Sequence, residues 1–357
     1  MSHAQDTLPT MPAIAVDALT QWLARNVPDF AGPLQVQAFE GGQSNPTYAL
    51  ITPKTQYVMR CKPAPAAQLL PSAHAIEREF RVMSALHNSA VPVPRMLCLC
   101  EDEAVIGRAF YIMERVEGRI WWDQSLPELA PAERRAVYLE MNRVLSVLHA
   151  LDPTKLGLAD YGRPGNYFER QIKRWSQQYQ ASVTQPITEM DRLIDWLPAH
   201  IPALAQDPTL VGIVHGDYRL DNLIFHPTEP RVVAVLDWEL STLGHPLADF
   251  SYHCMTWHIA PGTFRGIAGL DLAALGIPSE SQYIQHYCRG SGRFTAEQLA
   301  PDWPFLMAYN LFRMAAILQG IAKRIELGTA ASAQARQAAA GARPLAELAW
   351  RFAQRAS

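Results

Sequence analysis

Residues 214–225 read "VHGDYRLDNLIF", and residues 232–239 follow as "VVAVLDWE". Each stretch sets β-branched and large apolar residues beside acids and an amide, and between them lies a break at His226, Pro227 and Pro230. Apolar runs punctuated in this way predict short strands joined by tight turns. On that reading Asp217 ends one strand, Asn222 opens the next, and Asp237 ends a third beyond the turn. A hairpin would then bring the three side chains to one edge. Two carboxylates and an amide oxygen at one edge suit phosphoryl transfer from a nucleotide. That chemistry asks for a carboxylate to orient an attacking hydroxyl and accept its proton, and for oxygen ligands to magnesium. Asp217 suits the first task, and Asn222 and Asp237 suit the second.

The rest of the chain falls into two halves of different character. After a proline-punctuated start, Asp17 is placed to cap a short amphipathic helix carrying Leu19, Trp22 and Leu23 that ends near Pro28. The runs "LQVQAFE", "TYALI" and "QYVMR" between Leu34 and Arg60 have strand character, interrupted by the turn-forming "GGQSNP". A proline-rich loop leads into "SAHAIEREFRVMSAL", where Ile76, Phe80, Met83 and Leu86 recur at helical spacing. The strand-like "MLCLCEDEAVIGRAFYIMERV" closes this half before Gly118, and beyond it long helical patterns dominate, led by Val137, Met141, Leu145 and Leu148. These patterns predict an α+β chain, with a small β-rich lobe over 1–116 and a larger, mainly helical lobe over 117–357.

Composition narrows the function classes. Lys and Arg total 31 against 34 Asp and Glu, so the chain has no polycation character, which argues against nucleic acid as partner. The five cysteines include no Cys-x-x-Cys pair, and the spaced pair Cys98 and Cys100 alternates on what reads as a buried strand, so reduced core thiols are expected. No basic leader followed by an apolar run opens the chain, and no later stretch has the length of a membrane span without a charge or helix breaker. A cytoplasmic location and no membrane partner are the expectations.

The segments "HGDYRLDN" and "LDWE" together resemble the catalytic and metal-binding segments of the aminoglycoside phosphotransferase and choline-kinase-like families, which share the protein-kinase-like two-lobed fold. The resemblance implies ATP, or GTP, with Mg²⁺ as cofactors and a small-molecule hydroxyl as acceptor. It makes Asp217 the base and Asn222 and Asp237 the metal ligands. Arg219 falls where protein kinases carry a lysine that touches the transferring phosphoryl group, with a pairing to Asp221 or Glu239 as the plain alternative. Asp249 in "GHPLADF" matches an acid that fastens the catalytic loop through its backbone.

Upstream, the resemblance implies a phosphate-covering turn at Gly42, Gln43 and Ser44, and a cation at the end of the following strand held by a helix glutamate. Arg60 fills the cation position, with Lys62 as its rival. Glu79 fills the glutamate position, with Glu77 expected to face elsewhere and be solvated. The stretch "AFYIMERVEG" resembles the adenine-binding hinge, where Met113 would border the base and Glu114 and Val116 would offer backbone contacts.

The loop "KPAPAAQLLPSAHAIEREF" resembles the branch found as a kinase-like domain fused to acyl-CoA dehydrogenases, which implies a hydroxyacyl-CoA or hydroxy acid acceptor. Charge agrees with an anionic acceptor. From Arg289 onward the basic residues are Arg289, Arg293, Arg313, Lys323, Arg324, Arg336, Arg343, Arg351 and Arg355, against the acids Glu297, Asp302, Glu326 and Glu347. Two rivals remain: an aminoglycoside-type antibiotic kinase, and a non-catalytic nucleotide-binding pseudokinase suggested by Arg rather than Lys at position 60.

Overall fold

The structure is a computed structural model that describes residues 14–39, 45–63, 75–262, 265–329 and 332–356. It divides into two compact units, one of Met1–Ser84 with Pro94–Val116, the other of Ala85–Val93 with Glu117–Ser357.

The first unit is built on an antiparallel sheet of β1 (Gln35–Ala38), β2 (Thr47–Ile51), β3 (Gln56–Cys61), β4 (Met96–Cys100) and β5 (Phe110–Glu114), in the order β1-β2-β3-β5-β4. Side chains alternate across a strand, so each strand feeds two faces. Tyr48 and Leu50, Tyr57, Met59 and Cys61, and Phe110 and Ile112 share one face, where they form a core with Leu19 and Leu23 of helix α1 (Val16–Asn26). Trp22 of that helix meets Phe110 edge-on, with ring centroids 5.0 Å apart. The opposite face carries Arg60, whose backbone pairs with Thr47 on one side and Tyr111 on the other, and Met113, which pairs with Val58.

Two expectations need correction here. Ala15, not Asp17, sits at the N-cap of α1; Asp17 lies within the first turn, where its charge suits the helix dipole without capping it. The strand bearing Cys98 and Cys100 is an edge strand and mostly half-buried, because pairing with β5 covers only one side of it. Burial nevertheless pushes the Cys61 and Cys98 thiols up to about 12, and all five cysteines are free.

After α2 (Ile76–Leu86), the second unit is mainly helical: α3 (Pro131–Ala150), α4 (Tyr167–Ser182), α5 (Thr188–Ala199), the short α6 (Ala203–Gln206), α7 (Pro246–Cys254), the short α8 (Leu272–Leu275), α9 (Glu280–Ser291), the short α10 (Ala296–Leu299), α11 (Trp303–Glu326), α12 (Ala333–Ala340) and α13 (Ala342–Ala353). In α3, Val137, Met141, Leu145 and Leu148 are fully buried, as their spacing predicts. The long α11 packs against α4, α5, α7 and α13. It is long and apolar enough to cross a membrane, but 78% of its apolar window is buried against these neighbours and Arg313 lies within it, so here it serves as a core helix.

Set among the helices are two ribbons, β6 (Gly212–Val214) with β9 (Thr242–Gly244) and β7 (Leu223–Phe225) with β8 (Val232–Val235). The hairpin expected across His226, Pro227 and Pro230 is β7 with β8, and the strand that precedes Asp217, β6, pairs with β9 and not with that hairpin. Asp217 and Asp237 lie beyond the strand ends, in loops, and Asn222 belongs to a 3₁₀ turn over Leu220–Asn222. The strands stop early because the backbone from His215 onward finds side-chain partners in place of a ladder.

Candidate active site

Those partners begin with Asp249, in the first turn of α7. Its carboxylate accepts the backbone N–H groups of His215 at 2.6 Å and Gly216 at 2.9 Å. Gly216 has φ +83°, and a Cβ there would lie 2.7 Å from the Leu240 carbonyl oxygen, so only glycine fits this turn. The Gly216 carbonyl in turn accepts from Arg313 Nη2 at 2.6 Å. That bond gives the buried guanidinium of α11 a partner, and the group also stacks over Tyr252 with 5.0 Å to the ring centroid.

Behind Asp249, His149 Nε2 lies 3.2 Å from its carboxylate and Nδ1 lies 2.7 Å from the Tyr287 hydroxyl. Burial holds the His149 imidazole below its usual pKa, keeping it neutral; Nε2–H then donates to Asp249 while Nδ1 accepts from Tyr287. Burial also works against the Asp249 charge, but the His149 bond and the backbone N–H donors outweigh it and hold the carboxyl below its usual range.

His215 ties the two ribbons together. Its Nδ1 accepts from the Asp217 N–H at 3.2 Å, and its Nε2 donates to the Leu236 carbonyl at 2.8 Å. Leu236 N–H donates to the Asn222 carbonyl at 2.8 Å. The backbone beside Asp237 is thus fixed to both His215 and Asn222. Asp237 itself has φ 66° and ψ 59°, a left-handed conformation uncommon for a residue with a Cβ and one that collects at functional positions.

The Asp217 carboxylate is gripped from both ends. Tyr252 Oη donates to Oδ1 at 2.6 Å, and Asn222 Nδ2 lies 3.2 Å from Oδ2 and 2.9 Å from the Asp217 carbonyl. Burial, and then the Asp217 charge, push the Tyr252 phenol well up, so it stays a donor. Because Asn222 commits its Nδ2 to Asp217, its amide oxygen is the atom left for a cation, which fits the demand of Mg²⁺ for oxygen ligands. Among the described residues no three His, Cys, Asp or Glu side chains cluster as a metal cage, so an ion here would draw its other ligands from water and phosphate.

Arg219 Nε lies 3.3 Å from Asp217 Oδ2 and 3.5 Å from Asp221 Oδ2, without closing a hydrogen bond to either. Asp221 also holds Arg265 at 2.8 Å. The plain alternative for Arg219, a pairing with Asp221, is therefore present together with the contact to Asp217. Burial opposes the Arg219 charge; Asp217, then Tyr252, Asp221 and Asp237, outweigh it.

In the first unit, Arg60 Nε lies 3.4 Å from Glu79 Oε2. Glu79 also accepts from Tyr111 Oη at 3.1 Å and from Asn45 Nδ2 at 2.8 Å. Lys62 pairs instead with Glu77 at 3.1 Å, so Glu77, expected to be solvated, has a partner of its own. Strand alternation explains both pairs: Arg60 and Lys62 project to one side, towards the helix that carries Glu77 and Glu79. Met113 is buried on the face that bears Arg60, and Glu114 closes β5 with its carboxylate on the Arg95 N–H at 2.9 Å. Val116 is half-buried past the strand end, and Gly42, Gln43 and Ser44 lie outside the described residues.

A model of the phosphotransferase enzyme family matches residues 35–301. The chain belongs to that family. A crystal structure of a provisionally assigned aminoglycoside phosphotransferase from Ralstonia eutropha JMP134 is 59% identical, with a TM-score of 0.88, covering 97% of this chain and 100% of that one. The aminoglycoside phosphotransferase APH(4)-Ia, in a ternary complex with AMP-PNP and hygromycin B, shares the fold at 17% identity and a TM-score of 0.59, covering 94% and 98% of the two chains. The chain is also 48% identical over 345 residues to mouse acyl-CoA dehydrogenase family member 10, covering 96% of this chain and 31% of that protein. The chain thus spans about a third of that relative's length. The fold is the protein-kinase-like one expected from the sequence.

In the second unit the roles of Tyr252, Arg313, His149, Tyr287 and Arg265 escaped the sequence reading, and in the first unit that of Tyr111 did. A usable signal existed for Tyr252, since it follows Asp249 by one helical turn and shares its face.

Proposed function

We propose that the chain transfers the terminal phosphoryl group of ATP to a hydroxyl of a small molecule, with Asp217 as the base. The observation that carries this reading is the hold on Asp217: both carboxylate oxygens are positioned by Tyr252 and Asn222, while the side chain remains 16% exposed. A carboxylate fixed in this way can accept the proton of an acceptor O–H as its oxygen bonds to phosphorus and the bond to the departing diphosphate oxygen breaks. Arg219, beside Asp217, is positioned to meet charge on the transferring group.

Asn222 and Asp237 are proposed to hold Mg²⁺, which when bound supplies charge neutralisation to the nucleotide phosphates. Arg60, aimed by Glu79, is proposed to grip phosphate oxygens in the bidentate manner of a guanidinium. Gly42, Gln43 and Ser44 would cover the phosphates, and Met113, Glu114 and Val116 would border the adenine. The AMP-PNP bound to APH(4)-Ia supports a nucleoside triphosphate as donor, with GTP as the alternative. Buried free thiols suit a reducing, cytoplasmic setting.

For the acceptor, the reading is a hydroxyacyl-CoA or hydroxy acid. It is supported by the 48% identity to a protein named as an acyl-CoA dehydrogenase family member and by the basic balance after Arg289. The deciding experiment measures ATP consumption with a panel of hydroxyacyl-CoAs and aminoglycosides, in the native protein and in Asp217→Asn. Turnover of hydroxyacyl-CoA that vanishes in the variant, with nucleotide affinity retained, is the expected result. Turnover of aminoglycosides alone would replace the acceptor assignment, and near-native rates in Asp217→Asn would remove the base.

A further inference from the structure

Helix α11 is apolar along most of its buried stretch, and Arg313 is the charged residue set within it. That arginine is 7% exposed. Its guanidinium lies over two rings, with 5.5 Å to the centroid of Trp175 on α4 and 5.0 Å to that of Tyr252 on α7. Nη2 donates to the Gly216 carbonyl at 2.6 Å, and the buried Nε has no hydrogen-bond partner. Arg219 and Arg265, in the same unit, each meet a carboxylate. Among the described residues no carboxylate is in ion-pair contact with Arg313.

A buried cation with no counter-ion in contact is costly, and methionine would fill the same space without that cost. What the charge does there follows from two of its contacts, which reach Asp217 from different directions. The Gly216 carbonyl belongs to the peptide unit that joins Gly216 to Asp217, so the bond from Nη2 fixes the main chain that bears the Asp217 side chain. The Tyr252 ring, under the guanidinium, carries the hydroxyl that donates to Asp217 Oδ1 at 2.6 Å. A cation over an aromatic face draws electron density from the ring and makes its phenol a stronger donor. Burial and the Asp217 charge push the Tyr252 phenol up, and Arg219 and then Arg313 draw it back.

We propose that Arg313 is a positioning residue for the base: it fixes the main chain at Gly216, strengthens the Tyr252 hydrogen bond, and so sets the direction of the Asp217 carboxylate. The inference rests on the phosphotransferase reading above and adds to it the residue that aims its base. In this role Arg313 touches neither nucleotide nor acceptor, so its contribution is confined to the chemical step. A carboxylate turned away from the attacking hydroxyl loses rate without loss of nucleotide binding. Tyr252 carries part of the effect, and substitutions at two groups that act through one contact do not add.

The test is a double-mutant cycle on kcat with Arg313→Met, Tyr252→Phe and the two combined. The acceptor is whichever hydroxyacyl-CoA or aminoglycoside gives the fastest Asp217-dependent consumption of ATP. Arg313→Met keeps the volume over the rings and removes the charge and the donor. It should lower kcat by roughly 10- to 100-fold while KM for ATP stays within about threefold. Tm should hold within about 3 °C, since an apolar side chain replaces a buried charge, so the lost rate is not a lost fold. In the Tyr252→Phe background the same substitution should cost at least about threefold less. Should Arg313→Met not fold, Arg313→Gln carries the same cycle. A kcat within about twofold of native, a loss confined to KM, or equal losses in the two backgrounds would each overturn the assignment and leave the phosphotransferase standing. Absence of Asp217-dependent turnover with every acceptor brings down both.

Discussion

Two arginine–carboxylate groupings, one in each unit, use the same chemistry to opposite ends. In the first unit Glu79 is buried, with 2% of its side chain exposed, and three donors converge on it: Arg60, Tyr111 and Asn45. A carboxylate so enclosed cannot meet a ligand; it can only aim the cation beside it. In the second unit Asp217 is also held by three groups, Tyr252, Asn222 and Arg219, yet its side chain remains 16% exposed. There the surrounding groups set the direction of the carboxylate, and the carboxylate itself is what a substrate can reach. Arg219 divides its charge between Asp217 and Asp221, whereas Arg60 has Glu79 as its close carboxylate. The burial of the acid, rather than the identity of the pair, thus separates a supporting role from a reacting one.

Breaking the reacting partner should have the largest effect. Asp217→Asn keeps the shape and both neighbours but cannot take a proton, so kcat should fall by roughly 10³-fold or more. Nucleotide affinity, measured by titration, should stay within about threefold. If instead affinity collapses and the residual rate is high, Asp217 belongs with the supporting acids and the comparison fails.

Next in size is the acid that supports Asp217 from below. Asp249→Ala removes the acceptor for the backbone N–H groups of His215 and Gly216 and for His149. Leaving several buried donors unpaired should cost about 3–5 kcal/mol, read by urea or thermal unfolding. A cost below about 1 kcal/mol would mean that the loop is held by the Arg313 bond and by Gly216 alone.

How far the sequence discloses these roles depends on how local each arrangement is. Asp217 and Asn222 stand five residues apart, and the 3₁₀ turn between them brings side chain to side chain, so their partnership is readable from "HGDYRLDN". Arg60 and Glu79 are readable because alternation along β3 and the phase of α2 each fix a direction. The ends of the strands are not readable. β6 and β8 stop short of the two aspartates because Asp249 and His215 compete for the backbone, and those partners lie on other elements. Tyr252 and Arg313 reach Asp217 and Gly216 across 35 and 97 residues, a relation set by how α7 and α11 pack and not by any spacing in the chain.

A smaller effect is expected at the supporting acid of the first unit. Glu79→Gln keeps the hydrogen bond with Tyr111 within reach but removes the charge that aims Arg60. KM for ATP should rise by roughly 10- to 50-fold, in keeping with the cost of misplacing a phosphate-gripping cation, while kcat at saturating nucleotide falls much less. Equal losses in kcat and in kcat/KM would place Glu79 in the transition state and erase the difference between the two groupings.

The smallest effect should come from the neighbouring pair, which looks alike on paper. Lys62 and Glu77 lie one alternation and about half a helical turn from Arg60 and Glu79, and they too form an ion pair, at 3.1 Å. Their side chains are 30% and 40% exposed, so water screens the pair and its contribution should lie within about 0.5 kcal/mol. Lys62→Met should therefore leave Tm within a degree or two and KM for ATP within about threefold. A rise in KM comparable to that of Glu79→Gln would make Lys62 the phosphate-gripping cation and leave Arg60 as part of the buried network around Glu79. Arg60 and Lys62 leave β3 on the same side, so strand direction alone cannot choose between them. Burial of the carboxylate behind each can, and it favours Arg60.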